Sequence, residues 1–232
     1  MKVKGEVSER RAWMPHKILE ARFTHEEIVR KYNRIASIYD LFGILMASRA
    51  RRKALELAAI RDGEKILEVA LGTGLNFIEI LEKNPTGWVE GIDVSMGMLQ
   101  RAKRKIAKTG RRNYALYLSD CRHLPFPDGR FNLLMNLYLL DILPVEDFVP
   151  VLAEFKRVLK DGGRIILVNT TKAERWINQL YEGMYRLKPP IVAGSRGVLA
   201  QPFLEKIGFK EIRRTVISQL TFPSEIVVAI KK

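Results

Sequence analysis

The sequence predicts an α/β fold: a mostly parallel seven-stranded sheet with helices on both faces, an antiparallel C-terminal edge strand and an N-terminal helical cap. Three observations carry this. From residue 61 onward short apolar runs alternate with amphipathic segments, the pattern of parallel strands joined by crossover helices. A glycine-rich turn, "ALGTGLN", stands between the first apolar run and the first amphipathic one. The last two apolar runs, residues 209–218 and 224–232, are joined by a short link, which makes them an antiparallel pair at one edge. Residues 1–60 instead carry helical spacing and few strand signals, so the chain divides into a cap over 1–60 and an α/β domain over 61–232.

The elements follow in order. "KILEVA" opens the first strand at about 65–70, and after the turn a helix runs over about 75–83 until Asn84, Pro85 and Gly87 stop it. "WVEGID" is the second strand. Ser95 caps a helix over about 96–108, Gly110 lies beyond its end, and "NYALYL" is the third strand. Two prolines and an Asp-Gly pair make "CRHLPFPDGR" a loop. "FNLLMNLYLL" is the fourth strand, "VEDFVPVLAEFKRVLK" a helix stopped by "DGG", and "RIILVNT" the fifth strand. "AERWINQLYEGMYRL" reads as a helix, "KPPIVAGSRG" as a loop and "VLAQPFLEKIGF" as a helix ending at Gly208. Met96, Met98 and Met135 read as core filler.

Bulk composition narrows the function classes. A chain of 232 residues with 47% apolar content buries one sizeable core and has room for a small extra lobe. The lone Cys121 excludes an intrachain disulfide framework, and no Cys or His cluster has the spacing of a metal site, so no metal is expected. A cytoplasmic, reducing setting follows. The opening residues lack the apolar core of a signal peptide, and no apolar run nears the roughly 20 residues that span a bilayer. A formal charge of +14 attracts anionic surfaces. The densest cluster, residues 101–112, holds seven Lys or Arg and no acid, and "RARRK" at 49–53 follows it. As a solvated helix face of a heat-adapted protein this needs no partner; as a working surface it would meet anionic lipid, giving a peripheral membrane contact, or RNA.

The glycine turn sorts the ligands. A P-loop requires Gly-Lys-Ser/Thr, and Gly74 is followed by Leu75 and Asn76. A dinucleotide fingerprint read from Gly72 requires a third glycine at 77, where Phe77 stands, and the loop has no basic residue for a pyrophosphate. S-adenosylmethionine carries no phosphate. The stretch resembles the first motif of class I S-adenosylmethionine-dependent methyltransferases, acidic-x-Gly-x-Gly-x-Gly, with Glu68, Ala70, Gly72 and Gly74 on its four positions. Ala70 departs from the usual glycine, and its methyl group is tolerated if its φ is negative.

Further along, Asp93 lies 19 residues after Gly74, at the end of the second strand, where a carboxylate would accept both ribose hydroxyls. "LSDCRHLPFPDGRFNLLMNLYLLDILP" is similar to a segment of the quinone-biosynthesis C-methyltransferases. That resemblance implies that Asp120 accepts from the adenine amino group, that the Cys121 amide donates to the ring, and that Val94 packs on the adenine face. "RKYNRIASIYD", residues 30–40, resembles the segment before the core in that group and in bacterial phospholipid N-methyltransferases, to which "LGTGLN" is closer. Asn132, where an aspartate is usual, and Asp141 with Ile142, where histidines are frequent, depart from the pattern.

The resemblance implies a Rossmann-like domain that binds S-adenosylmethionine and methylates a small or lipid-like acceptor, phospholipid or isoprenoid quinone, by direct in-line transfer. Such transfer needs alignment above all, worth up to about 7–11 kcal/mol in oriented models. Asn136 is a candidate to present its carbonyl group to the methionine ammonium. Tyr39, Tyr138 and Asp141 are candidates to position the acceptor, against the plainer readings of Tyr39 as packing and Asp141 as a helix cap. Two alternatives stand beside this: an RNA-modifying methyltransferase, for which the charge argues but the tetrad Asp/Asn-Pro-Pro-aromatic is replaced by "NLYL", and a cofactor-binding protein without catalysis.

Overall fold

The computed structural model describes residues 39–171, 196–219 and 222–232, with the isolated helical positions 27 and 30. The expected helix over 173–187, most of its following loop, most of the 1–60 cap, and nearly all of the 30–40 motif lie outside the described residues. The described elements are α1 (Tyr39–Ala58), β1 (Lys65–Val69), α2 (Leu75–Lys83), β2 (Trp88–Asp93), α3 (Met96–Ala107), β3 (Tyr114–Leu118), β4 (Phe131–Leu137), a 3-10 turn (Val145–Asp147), α4 (Phe148–Val158), β5 (Leu159–Thr170), α5 (Gln201–Lys206), β6 (Phe209–Gln219) and β7 (Phe222–Lys231).

The seven strands form one sheet in the order β3-β2-β1-β4-β5-β7-β6. The first five are parallel neighbours, and β7 runs antiparallel to both β5 and β6. The antiparallel strand therefore lies one place inside the edge, and β6 closes the sheet. Burial explains the order: β7 is almost wholly enclosed, whereas β6, with Lys210, Glu211 and Arg213, is half exposed and keeps charge at the open edge. The "DGG" at 161–163 lies inside β5 rather than before it, at a register shift opposite Phe131 and Leu133 where Gly162 adopts φ +74°.

Helices cover both faces. One face packs Ala54, Phe77, Ile80, Leu99 and Ala102 of α1, α2 and α3 on β1, β2 and β4. The other packs Phe148, Leu152, Phe155 and Phe203 of α4 and α5 on Leu67, Leu134 and Leu167. α1 lies across β5, β7 and β6, and its C-terminal carbonyls, Ala58 and Ala59, accept from Arg164, which also grips Glu64 at 2.7 Å on both oxygens. Met98 and Met135 are buried as expected, but Met96 is 48% exposed, because it starts α3 on the side away from the sheet. Asn132, facing the opposite end of the sheet from the glycine turn, accepts from the Lys65 amide at 3.0 Å.

Phe77, which stands where a dinucleotide site needs glycine, is fully buried. It fits because β2 carries Gly91 beneath it: a Cβ there would fall 2.8 Å from Phe77 Cε2 and 3.0 Å from Leu71 Cδ2. The small residue has moved from helix to strand.

The glycine turn corrects one expectation outright. Ala70 has φ +55°, not a negative angle. The next amide, Leu71 N–H, donates to Ile92 O at 3.1 Å, and Gly72 N–H donates to Asp93 Oδ2 at 2.8 Å. To turn from β1 toward β2 within two residues the chain passes through the left-handed region at Ala70, at a cost of about 1–2 kcal/mol for an L-residue. Gly72 and Gly74, at φ +57° and +82°, continue the turn, and a Cβ on Gly74 would lie 3.0 Å from Ala102 Cβ of α3.

Two stability measurements test this local account. Gly91→Ala should destabilise by about 1–3 kcal/mol through overpacking, and adding Phe77→Leu should recover part of that loss in urea denaturation. At position 70, Ala70→Val should cost about 2–3 kcal/mol because a β-branched side chain resists positive φ. Ala70→Gly should stay within about 1 kcal/mol of the parent, since relief of strain is offset by the greater entropy of unfolded glycine.

Candidate functional site

A cavity of about 730 Å³, counted to its open mouth, lies over the C-terminal ends of β1, β2 and β4. Its place is the crevice where chains leaving β1 and β4 diverge to opposite sides of the sheet. Of the residues singled out from sequence, Ala70, Gly72, Asp93, Val94, Asp120, Cys121 and Tyr138 line it. Glu68, Gly74, Asn136 and Asp141 are not in the lining. Tyr39 begins α1, and its side chain lies outside the described residues.

Asp93 is the polar centre. It is 8% exposed; Oδ2 accepts from Gly72 N–H at 2.8 Å, and Oδ1 accepts from Ser95 N–H at 2.9 Å. Each oxygen keeps a further lone pair. Burial pushes its pKa up from 3.8 to about 6, and the backbone donors Ser95 and Gly72 act against that rise. Ser95 in turn caps α3, its hydroxyl accepting from Met98 N–H.

Asp120 enters from the loop after β3. Its Oδ1 accepts from Arg122 N–H at 2.9 Å and its Oδ2 from Arg122 Nη1 at 3.0 Å, while Nη2 of the same arginine reaches Asp147 at 2.6 Å. Arg122 is the one cation among the described lining residues, and both of these carboxylates hold it. Beside it Cys121 is buried, which pushes its thiol well above the usual range and leaves it inert. Val94 offers an apolar surface next to Asp93.

The far wall comes from the loop after β4. Tyr138 has φ +62°; its N–H donates to Val168 O, its hydroxyl shares a 2.9 Å hydrogen bond with Ser224 Oγ, and its ring lies 5.6 Å from that of Phe222. Leu139, Ile142 and Leu143 complete an apolar wall that sequence reasoning passed over. The run "LYLLDILP" held the signal: apolar residues continuing past the strand end with no helical or strand period.

The remaining candidates hold the frame. Glu68 is buried beneath the turn, where Oε1 accepts from Asn76 Nδ2 at 2.9 Å. Burial pushes its carboxyl up to about 8, so it is largely neutral at pH 7. Asn136 is fully buried and donates through Nδ2 to Val69 O at 2.9 Å, joining β4 to β1. Asp141 is fully buried; its carboxylate accepts from Thr170 N–H and, at 2.6 Å, from Thr170 Oγ1. It caps no helix, because Pro144 precedes the 3-10 turn. Arg196, 1% exposed and 55 residues away in sequence, donates to the carbonyls of Asp141 and Leu143 and fixes the wall from behind.

The polar groups suit an adenosine with no phosphate: two carboxylates that accept from hydroxyl and amino donors, apolar walls between them, and an arginine already engaged. Residues 66–163 match the family model described as "Methyltransferase domain". The chain is 30% identical over 141 residues to aklanonic acid methyltransferase DauC of Streptomyces sp. (strain C5), covering 60% of this chain and 63% of that one. It is 29% identical over 176 residues to demethylmenaquinone methyltransferase of Listeria monocytogenes serotype 4a, covering 72% and 73%. A similar solved structure is Haemonchus contortus phospholethanolamine N-methyltransferase 2 in complex with phosphomonomethylethanolamine and S-adenosylhomocysteine. It has a TM-score of 0.69 and 13% identity, covering 90% of this chain and 60% of that one, and it shows the shared fold. From motif, fold and relatives together, residues 66–163 form a methyltransferase domain of the S-adenosylmethionine-dependent kind.

Proposed function

We propose that the protein transfers a methyl group from S-adenosylmethionine to a lipophilic small molecule, a reading supported by relatives named demethylmenaquinone methyltransferase and aklanonic acid methyltransferase. The observation that carries this is the two-sided cavity: Asp93 and Asp120 on one side, and Leu139, Ile142, Leu143 and Tyr138 on the other. When bound, the cofactor supplies an activated methyl group. The residues then have separate tasks. Asp93 accepts from the ribose hydroxyls through the lone pairs that Gly72 and Ser95 leave open. Asp120, held by Arg122, accepts from the adenine amino group, and Val94 covers the ring. The wall after β4 excludes water and holds an apolar acceptor against the donor, so that orientation supplies most of the rate. Tyr138 is the one residue of that wall with a hydroxyl, and Ser224 fixes its direction.

Two measurements follow. Calorimetry with S-adenosylhomocysteine should show affinity level above pH 7 and falling as the pH drops through about 6, by up to about tenfold per unit, because a protonated Asp93 accepts one hydroxyl fewer. The sign for the free protein is the reverse. Its folded state holds the Asp93 proton above the ordinary 3.8, so that contribution to stability is present below 3.8 and lost as the pH rises through about 6. Asp93→Asn should weaken binding about 10–100-fold and flatten the pH profile; equal binding would place the ribose elsewhere. Incubation with methyl-labelled cofactor and either total lipid or total RNA extract should put label in the lipid fraction, and label in RNA alone would overturn the acceptor class.

A further inference from the structure

The flank built by β2, α3 and β3 concentrates two kinds of surface. The four large hydrophobic residues exposed among those described all lie on it: Trp88 39%, Met96 48%, Tyr117 38% and Leu118 55%. The same flank carries the chain's densest positive charge. Between Asp93 and Asp120 there is no acidic residue and there are seven Lys or Arg. Arg101 stands three and four residues before Arg104 and Lys105, which stand four and three before Lys108, and these helical spacings make a continuous stripe along α3. Met98, Leu99, Ala102 and Ile106 hold the opposite face of that helix against the sheet.

Ion pairing sets this surface apart. On the α4 side, Arg122 pairs with Asp147, Arg157 with Glu154 and Asp128, and Arg130 with Glu90. Among the described residues no carboxylate pairs with Arg101, Lys103, Arg104 or Lys108. Met96 and Leu118 crown the positive surface at the cavity end. Leu118 pairs with Asp93 across the strands and shares the face of Tyr114 and Leu116, which pack under α3, while Met96 begins that helix. Val94, Met98, Ser119 and Asp120, next to them in sequence, line the cavity.

From this juxtaposition we infer that the α3–β3 flank docks on an anionic phospholipid bilayer, with Met96 and Leu118 entering the interface and the α3 cations facing the headgroups. Charge complementarity supplies the attraction, and apolar tips within a basic rim are the composition of an interfacial contact. The apolar tips favour lipid over RNA. Met96 and Leu118, the most exposed pair, are aliphatic and offer no ring for base stacking. Tyr117 is already committed: its hydroxyl donates to Glu90 at 2.9 Å and its ring meets Phe126 edge-on at 5.4 Å. The docking goes beyond the methyl-transfer reading and holds whatever the acceptor is.

The test is sedimentation of the full chain with vesicles of phosphatidylglycerol and phosphatidylcholine, against phosphatidylcholine alone, at low and physiological salt. Binding is expected only to the anionic vesicles and should weaken with salt. Charge reversal in Arg104→Glu/Lys108→Glu should lower the apparent affinity about fivefold or more per residue. Met96→Ser/Leu118→Ser should lower it while leaving S-adenosylhomocysteine affinity and the melting temperature unchanged. Absence of vesicle binding, equal binding to neutral vesicles, or binding unaffected by both variant pairs would overturn the proposal. Tighter binding to polyuridylate than to anionic vesicles, insensitive to Met96→Ser/Leu118→Ser, would assign the surface to RNA and overturn it as well.

Discussion

One carboxylate organises the cofactor edge of this protein. Asp93 ends β2, and its two oxygens accept backbone N–H groups from either side: Gly72 in the turn after β1, and Ser95 at the start of α3. Three elements that are separate in sequence thereby share one buried charge. Burial raises the energy of the ionised form, which is why its pKa rises, and the two amide donors limit that rise. A side chain of Asp93's length is needed to span both donors and still present lone pairs to the cavity. The architectural role and the lone pairs left open to the cavity are therefore properties of the same two atoms.

The second constraint is topological. β1 and β4 are neighbours, yet their chains leave in opposite directions, toward β2 and toward β5. At each exit a non-glycine residue takes a positive φ: Ala70 after β1 and Tyr138 after β4. In both cases an amide at the exit bonds the carbonyl of the strand turned toward: Leu71 to Ile92, and Tyr138 to Val168. The left-handed residues are the corners of the two divergent turns, and the cavity is the gap between them. Strain at both lips is tolerated because the following bonds over-determine the path.

Much of this was legible in the sequence. Alternating apolar runs gave the strands and their number, and the spacing from the glycine turn singled out Asp93, which lines the cavity. What was not legible depended on partners distant in sequence. Phe77 argued against a dinucleotide site, but its accommodation by Gly91 is a contact between helix and strand that no local pattern displays. Ala70 was expected at negative φ because alanine prefers it; the pull of Ile92 O and Asp93 across the turn outweighs that preference. Asp141 carries a functional-looking group next to the cavity, yet it points into the frame, toward Thr170, and Asn136 ties its Nδ2 to Val69 O while its Oδ1 stays unpartnered among the described residues. A polar residue at a strand end has two sides to face, and only the partner settles which.

The helix layers show that stability and surface composition follow different demands. Along α3, Arg101, Arg104, Lys105 and Lys108 form like-charge neighbours at three- and four-residue spacing, each pair unfavourable by about 0.2–0.5 kcal/mol. The position of the last cations near the helix C-terminus offsets part of this. The rest is outweighed from the other face, where Met98, Leu99 and Ile106 are buried at about 1.5–3 kcal/mol each, and by the Ser95 cap. α4 shows the alternative: there Arg157 sits between Glu154 and Asp128, and charge is neutralised where it arises. A helix anchored this firmly can carry either surface. Packing therefore leaves the charge of Arg101, Arg104 and Lys108 to answer to whatever that flank meets in solution.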